Sequence, residues 1–319
     1  MAYTGTGDVS SDTAAFQQLA YFAFRSQPMY EMIADVRSTA QTHNGASVQF
    51  NIYDNMAQAT SALTEASDVT AVALGDSTVV VTLAEYGNAV ITTAKLRGTS
   101  FLNVDADAAN IIGYNMVDSV DKLVSNVANA GTNVIYAQGS AGSRPASRVA
   151  VSDANTFGAQ EGRQAVAELR TASAPGFDNG NYIGLVHPDV SYDLREQTAV
   201  TDVIQYQIRQ EGAAVRNGSI GVFGGIEWIE NPRAPILDDA GATSTTNVYQ
   251  TLVAGRQALA KAFSRAPGFG EDPSVVFGPV TDTLRRFHPV GWYHLVGHAI
   301  FRQAALQRIE SSSSIGDNT

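Results

Sequence analysis

Between Arg37 and Lys95 the chain carries no lysine or arginine, and its pattern there is not that of a compact core. The ends of this stretch read as strands. "SVQFNIYD" alternates Val48, Phe50 and Ile52 against polar neighbours, "STVVVTLAEY" is β-branched, and "GNAVITTAKL" continues after Gly87. The intervening "NMAQATSALTEASDVTAVALGD" has only weak periodicity, which predicts an extended excursion joining two strands. Whatever the chain folds into must carry a hairpin-like projection. From Ser38 to Ala94 its charges are Asp54, Glu65, Asp68, Asp76 and Glu85, all acidic, so the projection has one sign.

The rest of the chain supplies the body. At 319 residues it exceeds the roughly 250–300 at which single cores stop growing, so one elaborate domain or two lobes is expected. Behind a Ser/Asp cap, Phe16, Leu19 and Phe22–Ala23 recur at helical spacing and Pro28 follows, which predicts a short amphipathic arm. The stripe Ile112, Met116, Val120, Leu123 and Val127 predicts a helix from Asp105 to Ala130, capped by Asp105 or Asp107 and ended by Gly131. At ~1.5 Å per residue it would be about 40 Å long, the longest element of the chain. "NVIYAQGSAGSRPAS" reads as a strand entering a loop, and Thr156–Thr171 as a helix with Ala165, Val166 and Leu169 inward. Strands and helices then alternate: "NYIGLVHPD" is a strand stopped by Pro188, "VSYDLREQ" and "VTDVIQYQIRQEG" are helical, and "GSIGVFGGIEWIENP" makes two short strands about Gly224–Gly225. That alternation predicts an α/β lobe. The last third gives "NVYQTLVAG", a short helix at "RQALAKAF", a loop at "RAPGFGEDP", long strands from Val275 through Phe301 and a low-complexity, mobile tail "SSSSIGDNT".

Composition removes several classes of function. With no cysteine there are no disulfides, thiolate metal sites or cysteine nucleophiles. Twenty basic against 31 acidic residues, a formal charge of -11, opposes tight binding to a phosphate backbone. No apolar run reaches the ~18 residues of a membrane span, and no basic region precedes an apolar one at the N-terminus, so a protein kept inside a cell is expected. Only Lys95, Lys122 and Lys261 are lysines; the arginine excess fits packed interfaces or a codon bias equally well.

The candidate chemistry is thin. His294 and His298 have the i, i+4 spacing of a helical zinc site, but Leu295 stands where a catalytic glutamate would be needed. The surrounding "PVGWYHLVGHAIF" favours a strand, on which the two histidines would lie about 13 Å apart, too far for one ion. "GSIGVFGG" is neither a dinucleotide nor a phosphate loop, Asn217–Gly218–Ser219 reads as a turn, and Asp238–Asp239 and Glu271–Asp272 as solvated loop charge. No catalytic residue, cofactor site or metal ligand is expected.

The order of segments (arm, acidic β-projection, long helix, α/β lobe, terminal strands) resembles that of the major capsid protein of tailed bacteriophages, the Hong Kong 97-like fold, a mixed α/β or α+β architecture. Three phrases carry the likeness: "LTEASDVTAVALGDSTVVVTLAEYGNAVITTAKL", "NYIGLVHPDVSYDLR" and "GSIGVFGGIEWIENPRAP". The resemblance implies an N-terminal arm over residues 1–27, a connection over 28–45, an extended loop over 46–96 and a peripheral domain with a spine helix over 97–139. An axial domain over 140–275, C-terminal peripheral strands over 276–310 and a mobile tail over 311–319 complete it. It implies a coat protein forming hexamers and pentamers of an icosahedral shell around double-stranded DNA, assembled in the host cytoplasm. The implied partners are further copies of itself, a separate scaffolding protein, a portal and decoration proteins; DNA is touched weakly and no membrane is involved.

Within the resembled fold the extended loop lies over a neighbouring subunit. Glu65, Asp68 or Asp76 is therefore expected to meet Arg285, Arg286, Arg302 or Arg308 of the stretch Leu284–Ile309, which has no acidic residue. Cross-linking through a loop lysine is not expected, because Lys95 at the base is the first one. A cargo-carrying encapsulin shell shares the fold and is the nearest alternative, and a soluble α/β enzyme is the alternative from another class.

Overall fold

The computed structural model describes residues 25–36, 45–63, 65–66, 68–100, 104–177, 180–196, 219–265, 270–279 and 282–315. A 3-10 turn at Tyr30–Ile33 leads into β1 (Ala34–Val36), followed by β2 (Ser47–Tyr53), β3 (Asp76–Thr82), β4 (Ala84–Thr93), α1 (Ala94–Thr99) and α2 (Val104–Ala128). Next come β5 (Val134–Tyr136), α3 (Ala159–Thr171), β6 (Tyr182–Val186), α4 (Pro188–Glu196), β7 (Ser219–Phe223), β8 (Ile226–Glu230) and β9 (Ile236–Leu237). The chain ends with β10 (Val248–Ala254), β11 (Leu259–Phe263), β12 (Ser274–Phe277), β13 (Phe287–Ile300) and β14 (Leu306–Ser311). It divides into two compact units: a smaller one holding Arg25, Gly87–Met116 and Ser274–Tyr293, and a larger one holding the remainder. No helix among the described residues is long and apolar enough to cross a membrane.

The larger unit is built on a sheet in the order β5-β14-β10-β6-β8-β7, with β9 beside β10. Every residue of β10 is buried, as expected for a central strand covered on both faces. Tyr182 and Val186 of β6 and Tyr249 and Val253 of β10 face Ala165, Val166 and Leu169 of α3 and Val190 and Leu194 of α4. Leu185 and Leu252, at alternate positions, face Val124 and Ala128 at the end of α2, together with Tyr30 and Ile33. One face of the sheet thus carries two helices and the other the C-terminal turns of α2. Pro188 opens α4 at a position where its missing N–H costs nothing. Gly184 is required by packing, since a Cβ there would stand 2.5 Å from the Trp228 ring. That ring sits edge-on to Phe157 at 5.5 Å.

Two expectations are corrected. "RQALAKAF" is not a helix: β11 pairs parallel with β1 and antiparallel with the second half of β13, and all five of its residues are buried. Ala260 and Ala262 pack with Val48, Val81 and Leu83, while Leu259 packs with Ala258 and Leu306 on the opposite side. Two-sided burial in a ladder overrides the weak helix preference of Ala, Leu and Lys. The serine tail is also fixed as far as Ile315. Ser311 ends β14, Ser312 bridges to Thr156, the Ser313 hydroxyl donates to the Asp189 carbonyl (3.2 Å) and the Ser314 N–H to Asp193 Oδ2 (3.0 Å). Sheet membership also crosses the expected segment limits at 139 and 275: β5 and β14 join the strands of the α/β lobe, and β11 joins β1 and β13. The expected arm helix before Arg25 and the expected helix at "VTDVIQYQIRQEG" lie outside the described residues.

In the smaller unit β12 pairs with the first half of β13, from Ser274↔Tyr293 to Phe277↔Val290. Gly291 lies so close to β4 that a Cβ would meet the Asn88 carbonyl at 2.8 Å. The first half of α2 is tied in by its polar face. Asn115 Oδ1 accepts from the Trp292 indole (2.9 Å), Asp105 accepts from the Thr92 hydroxyl (3.1 Å) and pairs with Arg97, and Asn110 accepts from Arg25 (2.7 Å). Asp105 therefore acts within the first turn rather than as its cap, and α2, at ~1.5 Å per residue, spans close to the expected length.

Candidate assembly interface

The projection is formed by β2 and β3, antiparallel from Ser47↔Thr82 to Tyr53↔Asp76. Its base is core: Val48 is 3% and Val81 1% exposed. Beyond Tyr53 the Asp54 N–H donates to the Gly75 carbonyl (2.9 Å), closing a neck. The described residues between them form neither helix nor strand, and all are exposed. Tyr53, Met56, Leu63, Val69, Val72 and Leu74 are each 58–76% exposed, a run of apolar side chains the subunit leaves uncovered. Exposed apolar surface on that scale marks contact with another molecule. Glu65, Asp68 and Asp76 share it, all exposed, with Asp68 Oδ1 accepting the Val69 N–H (2.8 Å).

The four arginines expected to face such a loop have different situations. Arg285 is exposed in a tight turn with a positive φ of 50°, its N–H donating to the Asp282 carbonyl (2.9 Å). Arg286 is exposed, bonds Asp282 through Nε (3.0 Å) and lies over the Phe287 ring (5.5 Å); that bond holds the Asp282 carboxyl below its ordinary range. Arg302 is exposed, with its guanidinium over Phe301 (5.9 Å). Arg308 is the exception. It is 8% exposed, pairs with Glu310 (3.0 Å) and donates to the Asn129 carbonyl, so it belongs to the interior rather than to a contact surface.

Two surface features of the smaller unit were not foreseen. Lys95, expected at the end of a strand, lies with Arg97 on α1, whose first residue donates its N–H to the Arg286 carbonyl (2.8 Å). In the same unit Val275, Val276, Phe277, Leu284 and Phe287 are exposed. The β-branched run of "SVVF" was legible as a strand, but nothing in one sequence marks it as an edge.

His294 and His298 stand on β13, a strand, so the helical geometry of a zinc site is absent. Among the described residues no group of three or more His, Asp or Glu side chains could hold a metal ion. The Nε2 atoms of both histidines are buried without a hydrogen-bond partner. Burial, with the nearby Lys261 charge, holds His294 below its ordinary pKa and His298 down to about 4.

Other buried charges form closed networks inside the larger unit. Glu310, fully buried, accepts from Arg148 Nε (2.9 Å), Arg148 Nη2 (2.6 Å) and Gln250 (3.3 Å) besides pairing with Arg308. Burial pushes its carboxyl up, but the Arg148 hydrogen bonds and the arginine charges outweigh it and keep it below the usual range. Asp121 accepts the Tyr30 N–H (2.7 Å) and Arg233 Nε (3.0 Å), while Arg233 also pairs with Asp118. Burial raises the Asp121 pKa, opposed by the Tyr30 N–H and then by Arg233. These groups fasten elements to one another and are spent within the subunit.

A family described as phage capsid protein matches residues 6–310 of the sequence. The structure resembles the capsid protein of Ralstonia phage GP4 with a TM-score of 0.76 at 14% identity, covering 100% of this chain and 99% of that one. It resembles the cyanophage Pam1 capsid (TM-score 0.72, 14% identity, 98% of each chain) and the acid-stable capsid of Helicobacter pylori bacteriophage KHP30 (TM-score 0.72, 12% identity, 98% and 99%). No curated protein matches the sequence. At such identities the structures establish the fold, which is Hong Kong 97-like, and the family match over nearly the whole chain carries the assignment. The chain belongs to the phage capsid protein family.

Proposed function

We propose that copies of this chain assemble as hexamers and pentamers into an icosahedral shell around double-stranded DNA, each subunit laying its projection on a neighbour. The observation that carries this reading is the uncovered run of apolar and acidic side chains between Tyr53 and Asp76. A lone soluble subunit gains nothing from it; a subunit destined for contacts of the 2,000–5,000 Å² class does. The function is geometric rather than catalytic and calls for no cofactor. The charge of -11 suits a wall that touches DNA weakly and so leaves packaging and release unhindered. A separate scaffolding protein and a portal complete the particle, which forms in the host cytoplasm.

Electrostatic register is assigned to the loop carboxylates Glu65, Asp68 and Asp76 against Arg285, Arg286 and Arg302 of a second copy. A partly desolvated arginine–carboxylate pair fixes orientation and rejects wrong partners, and loss of one partner costs ~2–5 kcal/mol. Charge reversal at both Arg285 and Arg286 is expected to block assembly, seen by sedimentation, while circular dichroism shows a folded subunit. A compensating reversal in the loop should partly restore shells. Because Arg286 also binds Asp282 within its own turn, Asp282→Asn is the control and should assemble. Normal assembly of the double reversal at moderate salt would refute the pairing.

A further inference from the structure

We propose that Glu31, Lys261, His294 and His298 form an acid-sensitive latch that fastens the Tyr30–Val36 segment to β11 at neutral pH and releases it in mild acid. The inference is independent of how subunits meet. Lys261 is 2% exposed on β11 and its ammonium pairs with Glu31, which lies in the 3-10 turn ahead of β1. His298 stands directly opposite Lys261 across the β11–β13 ladder, and His294 follows on the same face. The latch at neutral pH is thus one ammonium, one carboxylate and two neutral imidazoles.

Among the charged groups around the rings, Lys261 opposes an added proton and Glu31 favours it, as Asp272 does at His294, but burial outweighs both carboxylates. Asp272, in the exposed loop before β12, is a further carboxylate that acts on His294. Asp35 of β1 stands opposite Ala260, whose position alternates with that of Lys261, and so belongs to the other face of the ladder. Protonating either histidine therefore sets a second cation beside Lys261 with Glu31 already engaged.

The Nε2 atom of each ring is buried without a hydrogen-bond partner, so no bond at that atom favours the charged form, and burial holds the ring neutral. Since folding lowers both pKa values, to about 4 for His298, the unfolded chain binds more protons between roughly pH 6.5 and 4. Stability is full above that window, falls as the pH drops through it and levels off beneath it. The part expected to yield is the one the cluster fastens. β1 has three residues in its ladder, and the turn before it is held by the Lys261–Glu31 pair, the Tyr30 N–H to Asp121 and the buried Tyr30 and Ile33 side chains, so losing the pair removes one of few ties.

Amide hydrogen exchange on the full chain at pH 7.5 and pH 5, expressed as protection factors, tests this. Protection of residues 30–36 should fall about tenfold or more at pH 5 while that of β10 and β14 holds. His298→Gln, neutral at both pH values, should remove most of that difference. Should that variant not fold, Lys261→Met keeps the test open: an apolar side chain of similar reach suits the buried site, Glu31 is partly solvated, and the acid response should shrink likewise. Protection of residues 30–36 that is the same at both pH values in the unaltered chain would overturn the latch. So would a folded variant that keeps the full acid response.

Discussion

Excising residues 56–74 and closing the gap with a short Gly-Ser turn is expected to abolish shell formation while the subunit stays folded. The neck makes the excision feasible, because the Asp54 N–H already meets the Gly75 carbonyl (2.9 Å) and β2 and β3 remain fully paired behind it. Every described residue removed is exposed, so the loss to the subunit should be no more than that of ordinary surface changes, about 0.5 kcal/mol. The loss to assembly should be complete, because Met56, Leu63, Val69, Val72 and Leu74 would cover no neighbour. Calorimetry should find a thermal midpoint within a few degrees of the unaltered chain, and sedimentation should find no closed shells. Normal shells from the shortened chain would show that the projection is dispensable.

Replacing Glu310 by alanine is expected to have the opposite profile, unfolding the subunit rather than disabling its contacts. The carboxylate is fully buried and accepts from Arg148, Arg308 and Gln250. Without it Arg308, on a strand between β5 and β10, becomes an unpaired charge in the interior, a change that costs ~3–5 kcal/mol. At ~2–4 °C per kcal/mol the thermal midpoint should fall by roughly 10 °C. The acid response follows from the lowered pKa of Glu310: its contribution is whole above the unfolded carboxylate pKa and is lost as the pH falls through the folded one. A midpoint that moves by less than a degree or two would mean that Arg308 finds water or another partner.

These two sites mark where the sequence was legible and where it was not. The strands of the projection, α2, α3 and α4 could be read because one face of each is buried and its period survives in the residues, while β6 was marked by its apolar run ending at Pro188 and the β7–β8 hairpin by its glycines. β11 could not, since burial on both sides erases alternation and leaves Ala, Leu and Lys to speak for a helix. The serine tail hides its role for a related reason: hydroxyls that look like solvent-facing linker donate to the backbone carbonyls of Asp153 and Asp189 and to the Asp193 carboxylate. Arg308 resembles the surface arginines in sequence because the stretch Leu284–Ile309 has no acidic residue, yet its partner Glu310 is the next residue after that stretch. Burial of a charge depends on which strands flank it, and β14 takes its place between β5 and β10 only through pairing with residues more than fifty positions away. The loop carboxylates and Arg285, Arg286 and Arg302 proved to be exposed, which is what a contact surface needs.

Self-assembly of the unaltered chain is the most direct test. Electron microscopy and analytical ultracentrifugation should be run on the purified protein, alone and co-expressed with the products of neighbouring genes, the place for a scaffolding protein if one is used, over a range of salt. Capsomers or closed icosahedral shells with the projection of one subunit lying on the next are the expected result. A strictly monomeric protein under every one of these conditions would contradict it.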